Sequence, residues 1–127
     1  MSKPILLIDF DGVIHSYESG WKGVDQIVDI PVPGAFQFLM KAIEKFDVQI
    51  YSSRSKDPEG VRAMDVWFWH WAKMELSTDE ANKLMHSIRY PTEKPAAFLT
   101  IDDRAICFQG SWPTIESMLA FKPWNKR

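Results

Sequence analysis

The sequence predicts an α/β protein: a mostly parallel sheet of five strands, covered by helices on both faces. Short apolar runs alternate with stretches of helical periodicity, and three of those runs stop abruptly at polar, reactive residues. Ile5-Leu6-Leu7-Ile8, the first of them, is apolar without interruption, as expected of a strand buried on both sides. The bulk properties allow such a fold. With 127 residues, 46% hydrophobic and 25% charged, the chain suits one domain around one core. No repeat, low-complexity tract or Gly/Ser linker divides it, so residues 1–127 are read as a single domain.

The elements follow in order. After Ile5–Ile8, residues 12–33 mix Gly, Asp, Ser, Pro and scattered aromatics and read as a loop or flap hairpin. Pro33-Gly34 opens a helix, with Phe36, Leu39, Met40 and Ile43 at helical spacing to about Phe46. Val48-Gln49-Ile50-Tyr51 is the second strand. Asp57-Pro58-Glu59 starts a second helix that runs to about Leu76, since Asp caps and Pro suits the first turn. Ser77-Thr78-Asp79-Glu80 starts a third helix, ending near His86. Ser87–Tyr90, Phe98–Ile101 and Ala105–Phe108 are the remaining strand candidates, and a closing helix lies within 113–121.

Charge and cysteine content narrow the function classes. Fifteen Lys and Arg against seventeen Asp and Glu give a formal charge of −2, which does not call for a nucleic-acid partner. Cys107 is the only cysteine, so no internal disulfide forms; a reducing, cytoplasmic setting is expected, and an inert buried thiol in an apolar strand. No apolar run approaches the ~20 residues of a membrane span, and no secretory signal is read. Six Trp and eight Phe are many for this length. Trp67 and Trp69 lie about 160° apart on a helix, so they do not both enter one core. His70 and His86 read as surface residues, and the end Lys122–Arg127 as a solvated basic tail.

Chemistry is expected where the strands end. Asp9 and Asp11 follow the first run, Ser52 the second, and Asp102-Asp103 the run Phe98–Ile101. In a parallel sheet these ends share one edge, where ligands bind. Four carboxylates gathered there repel, and a hard cation with oxygen ligands, Mg²⁺ above all, relieves them. Lys94 lies in the loop entering the Asp102 strand and adds a positive charge. Gly12 allows close backbone approach.

This pattern resembles the haloacid dehalogenase-like (HAD) phosphohydrolase superfamily. Its four motifs match Asp9-Phe10-Asp11-Gly12-Val13, Ser52, Lys94 and Asp102-Asp103, in order and across nearly the whole chain. Ser52-Ser53-Arg54 and Ile101-Asp102-Asp103-Arg104 further resemble the phosphatase portion of polynucleotide kinase-phosphatases and RNA-repair relatives. The resemblance implies a Rossmann-like three-layer sandwich and a Mg²⁺-dependent phosphomonoesterase. Asp9 would attack phosphorus to form an aspartyl-phosphate, and Asp11 would act as general acid and then base. Asp9, Asp11 (through its backbone carbonyl) and Asp103 would hold the metal, with Asp102 a direct or indirect helper. Ser52 and Lys94 would grip the phosphoryl oxygens. Gly12, Ser53, Arg54 and His15 are candidates for binding substrate. Pump-type relatives carry Thr two places after the nucleophile; Asp11 stands there, which favours turnover.

Neither gap between motifs is long enough for a large cap, so an open site is expected. It suits a nucleic-acid end or a small phosphorylated molecule, with a homodimer among the open oligomeric states. His15, Tyr17 and Trp21 in the flap are candidates for leaving-group contacts, including base stacking. Two rivals remain. A signalling receiver domain carries similar residues in the opposite order along the chain. A weakly active or inactive binding module on the same fold, for nucleic acid or a protein, would use Trp21, Trp69 and the basic tail.

Overall fold

The computed structural model describes residues 2–126. Met1 and Arg127, which the single-domain reading includes, lie outside them. Three parallel strands form an open sheet: β1 (Ile5–Ile8) in the centre, β2 (Asp47–Ile50) on one side and β3 (Leu99–Ile101) on the other. Leu6 pairs with Val48 across one ladder and with Leu99 across the other. Four helices accompany it: α1 (Ala35–Lys45), α2 (Pro58–Glu75), α3 (Thr78–Ser87) and the short α4 (Ile115–Leu119). A single 3-10 turn follows at Trp124–Lys126.

The helices start where their capping chemistry sits. Gly34 takes a left-handed conformation (φ 84°) to turn the chain into α1, and Phe36, Leu39, Ala42 and Ile43 then face inward. Asp57 accepts a hydrogen bond from the Glu59 backbone N–H (2.9 Å), with Pro58 in the first turn of α2. Ser77 and Glu80 form a reciprocal capping box on α3. Leu6, Ile8, Val48 and Ile50 share one buried cluster with Phe36, Leu39, Met64, Phe68 and Leu84. Trp67 is buried there and donates its indole N–H to the Asp29 carbonyl (3.0 Å), while Trp69 is only partly buried. The ~160° between them separates core from rim.

Fewer strands form than the five expected. At Ser87–Tyr90 the sheet is extended by one bridge: Ile50 N–H donates to the Arg89 carbonyl (2.8 Å) and Arg89 N–H to that of Val48 (3.1 Å). Ile88 still closes α3 through its N–H, and Pro91 has no N–H to give, so no room is left for a longer ladder. Residues 105–108 form no strand, and their side chains are exposed. Cys107 is therefore an exposed thiol, not the buried one expected, because an apolar run does not by itself reveal whether a neighbouring strand covers it.

The tail also departs from expectation. Pro123 is buried, Trp124 donates its indole N–H to the Gly12 carbonyl (2.7 Å), and the Asn125 amide donates to the Ser16 carbonyl (3.0 Å). The last turn is docked against the flap. The flap itself is a short paired loop, with Ser16 N–H donating to Ile30 and Val32 N–H to Ile14.

Gly60, in the first turn of α2, lies against the backbone of Arg54, where an added Cβ would collide with the Arg54 carbonyl. On an open helix Gly→Ala gains about 1 kcal/mol. Here the sign should reverse: Gly60→Ala is expected to cost about 1–3 kcal/mol, read as a lower urea midpoint.

Candidate active site

The first residue beyond β1 is still tied to β3, because Asp9 N–H donates to the Ile101 carbonyl (2.9 Å). That bond sets Asp9 beside Asp102 and Asp103, and one carboxylate oxygen from each lies within 4.8 Å of the others. Gly12 (φ 86°) makes room for Asp103: a Cβ there would collide with the Asp103 carboxylate. Asp103 Oδ1 is buried with no hydrogen-bond partner. Its nearest cation, Arg104, is largely exposed and 4.0 Å away, so solvent screens it. Asp102 is exposed and accepts from the Arg104 backbone N–H (2.8 Å).

Burial, reinforced by the adjoining carboxyls of Asp103 and Asp102, pushes the Asp9 carboxyl up to about 8. Three carboxyl groups, Asp103 with a buried unsatisfied oxygen and Asp9 raised by burial and its neighbours, fit a hard divalent cation such as Mg²⁺.

A cleft of about 200 Å³ opens beside the carboxylates, lined by Leu7, Asp9, Ser52, Ser53, Lys94 and Asp102 among others. The structure thus brings the ends of all three strands and the loop before β3 to one place. Ser52 Oγ accepts from the Arg54 backbone N–H (3.0 Å), while its own proton meets only the Met64 sulfur at 3.7 Å. A thioether is a poor acceptor, so that donor is readily redirected to a phosphoryl oxygen. Two larger grooves, of about 540 and 550 Å³, run along α2, but neither is lined by Asp9, Asp102 or Asp103.

Asp11, Arg54 and His15 form a separate group. Arg54 is fully buried; its Nε and Nη2 donate to the two oxygens of Asp11 (3.0 and 3.2 Å). Its Nη1 donates to the Gly23 and Val24 carbonyls (both 2.8 Å), and the half-exposed Trp21 ring lies over the guanidinium at 4.6 Å. His15 is also buried. Its Nε2 accepts the Asp29 backbone N–H (3.1 Å), so Nδ1 carries the proton and donates to Asp11 Oδ1 (2.9 Å).

Arg54 and His15 therefore meet Asp11, not the open cleft, so neither makes the substrate contact expected of it. The Asp11 carboxylate lies outside the Asp9–Asp102–Asp103 cluster. Tyr17 adopts a left-handed φ of 59° in the flap, and its hydroxyl is raised above the usual range by burial and then by Asp11. Asp29 and Trp124, which anchor His15 and Gly12, carry no local signal in the sequence.

Comparison with protein-family models, with curated proteins and with solved structures gives no match to this chain. Its reading rests on its own residues. No helix among the described residues is long and apolar enough to cross a membrane.

Proposed function

We propose that the chain is a Mg²⁺-dependent phosphomonoester hydrolase of the HAD type, acting through an aspartyl-phosphate on Asp9. One observation carries the reading: Asp9, Asp102 and Asp103 meet beside a cleft that Ser52 and Lys94 also line. The family's Rossmann-like, three-layer arrangement and a cytoplasmic setting belong to the same proposal. The three parallel strands and the Gln49–Arg89 bridge support the former as far as they reach.

Asp9, Asp102 and Asp103 would hold the metal, which when bound supplies the positive charge that ionises Asp9 and offsets the substrate's charge. A phosphoryl group entering the cleft meets the Ser52 hydroxyl and the Lys94 ammonium, both donors placed before charge develops. An Asp9 oxygen bonds to phosphorus as the ester P–O bond breaks; Asp11, which must first take a proton from solvent and give up a contact to Arg54, passes that proton to the leaving oxygen. Water then attacks the same phosphorus, gives its proton to Asp11 and returns Asp9 as a carboxylate. Arg54 and His15 position Asp11 for this cycle.

Midway along the flap, the Trp21 ring uses one face on Arg54 and is half exposed. A half-exposed indole on the flap suits stacking of a base, which favours a nucleotide or a nucleic-acid end as the substrate. Hydrolysis of an aryl phosphate should require Mg²⁺, cease in EDTA and return when Mg²⁺ is restored. Metal-independent turnover would contradict the mechanism. Binding of phosphorylated ends with no turnover in Mg²⁺ would instead favour the binding module.

A further inference from the structure

The chain exposes 8279 Å² of surface, whereas a folded monomer of 14.7 kDa is expected to expose about 6,900 Å². The excess, about 1,300 Å², exceeds the ~800 Å² that each partner contributes to a stable protein interface. It has a location. From Phe98 to Phe121 nearly every residue is exposed, including Phe98, Leu99, Phe108, Trp112, Ile115 and Leu119, the last 84% accessible. Monomers rarely expose apolar surface on this scale.

Charge restricts what can cover it. Between Phe98 and Phe121 the only charged residues are Asp102, Asp103, Arg104 and Glu116. One Arg and no Lys disfavour nucleic acid and anionic lipid, both of which select basic faces. A protein partner with an equally apolar, weakly charged face fits. β3 is the outer strand of the sheet, with no strand on its free edge among the described residues. An unpaired edge next to an apolar arc is self-complementary about a two-fold axis.

We propose that the apolar part of this face, from Ala105 through α4, is buried against the same part of a second copy of the chain. The inference is independent of the catalytic reading and is read in the absence of substrate. The full chain should sediment at twice its monomer mass across the micromolar range. Leu119→Arg and Ile115→Arg should each raise the dimer dissociation constant at least about 100-fold. Their circular dichroism should match wild type, since both side chains are exposed within the monomer. Val66→Arg, at an exposed apolar position on α2 far along the chain, should leave the dimer intact. A wild-type monomer throughout that range overturns the proposal, whether or not it binds lipid vesicles or RNA. So does a dimer that survives Leu119→Arg and Ile115→Arg, or one that Val66→Arg dissociates.

Discussion

Asp9→Asn is expected to abolish phosphate release while making the metal-free protein more stable at pH 8. Asn matches Asp in shape but offers no anionic oxygen for attack on phosphorus, so kcat should fall by at least about 10⁴-fold. The stability change has the opposite sign because of where Asp9 sits. Its carboxyl titrates near 3.8 when free and near 8 in the folded chain, so between those values the folded state holds a proton that the unfolded state has lost. Stability from this group is complete below about pH 4 and drains away as pH rises towards 8. In EDTA the wild-type Tm should therefore drop across that window, and the Asp9→Asn Tm should lack this component. Added Mg²⁺ at pH 8 should raise the wild-type Tm and raise that of the variant much less. Full activity in the variant would move the nucleophile elsewhere. An unchanged pH profile would place the titrating group elsewhere.

Arg54→Ala should be the most destabilising single change near the site. It removes the cation from a buried ion pair, strands the Asp11 carboxylate and leaves the Gly23 and Val24 carbonyls short of a donor. Loss of one member of such a pair costs about 3–5 kcal/mol, and for a domain of this size that lowers Tm by about 10 °C or more. Lys should not rescue it, because an ammonium does not reproduce a planar fork that reaches two carboxylate oxygens and two carbonyls at once. Activity separates positioning from phosphate binding. In Arg54→Lys, assayed below its melting range, kcat should fall while inhibition by inorganic phosphate persists. In Lys94→Ala, phosphate inhibition itself should weaken. Equal loss of phosphate inhibition in both would place Arg54 at the phosphate.

Local chemistry in the sequence predicted local structure well. Asp57-Pro58 and Ser77-x-x-Glu80 place helix starts because capping needs only neighbours along the chain. Ile5–Ile8 shows a buried strand because its period is visible within four residues. The carboxylate cluster is legible for a related reason: parallel strands collect their ends on one edge, so Asp9 and Asp103 can be joined without knowing the packing. The inward turn of Arg54 was hidden, since its partners Asp11, Gly23 and Val24 come from a loop whose path no periodicity reveals. His15 likewise depends on Asp29 to fix its tautomer. Cys107 and the 105–108 run read as buried because apolar residues predict cover without saying whether this chain supplies it. Trp124 looked like part of a solvated basic tail, and only the Gly12 carbonyl shows otherwise.

The bond from Trp124 to Gly12 joins residues 112 positions apart, and Asn125 reaches Ser16 across 109. The loop that carries the nucleophile is thus braced by some of the most distant residues of the described chain. During synthesis Asp9 leaves the ribosome more than a hundred residues before the prop beneath its turn. A nascent chain can therefore have its sheet and helices paired and still lack a rigid catalytic corner.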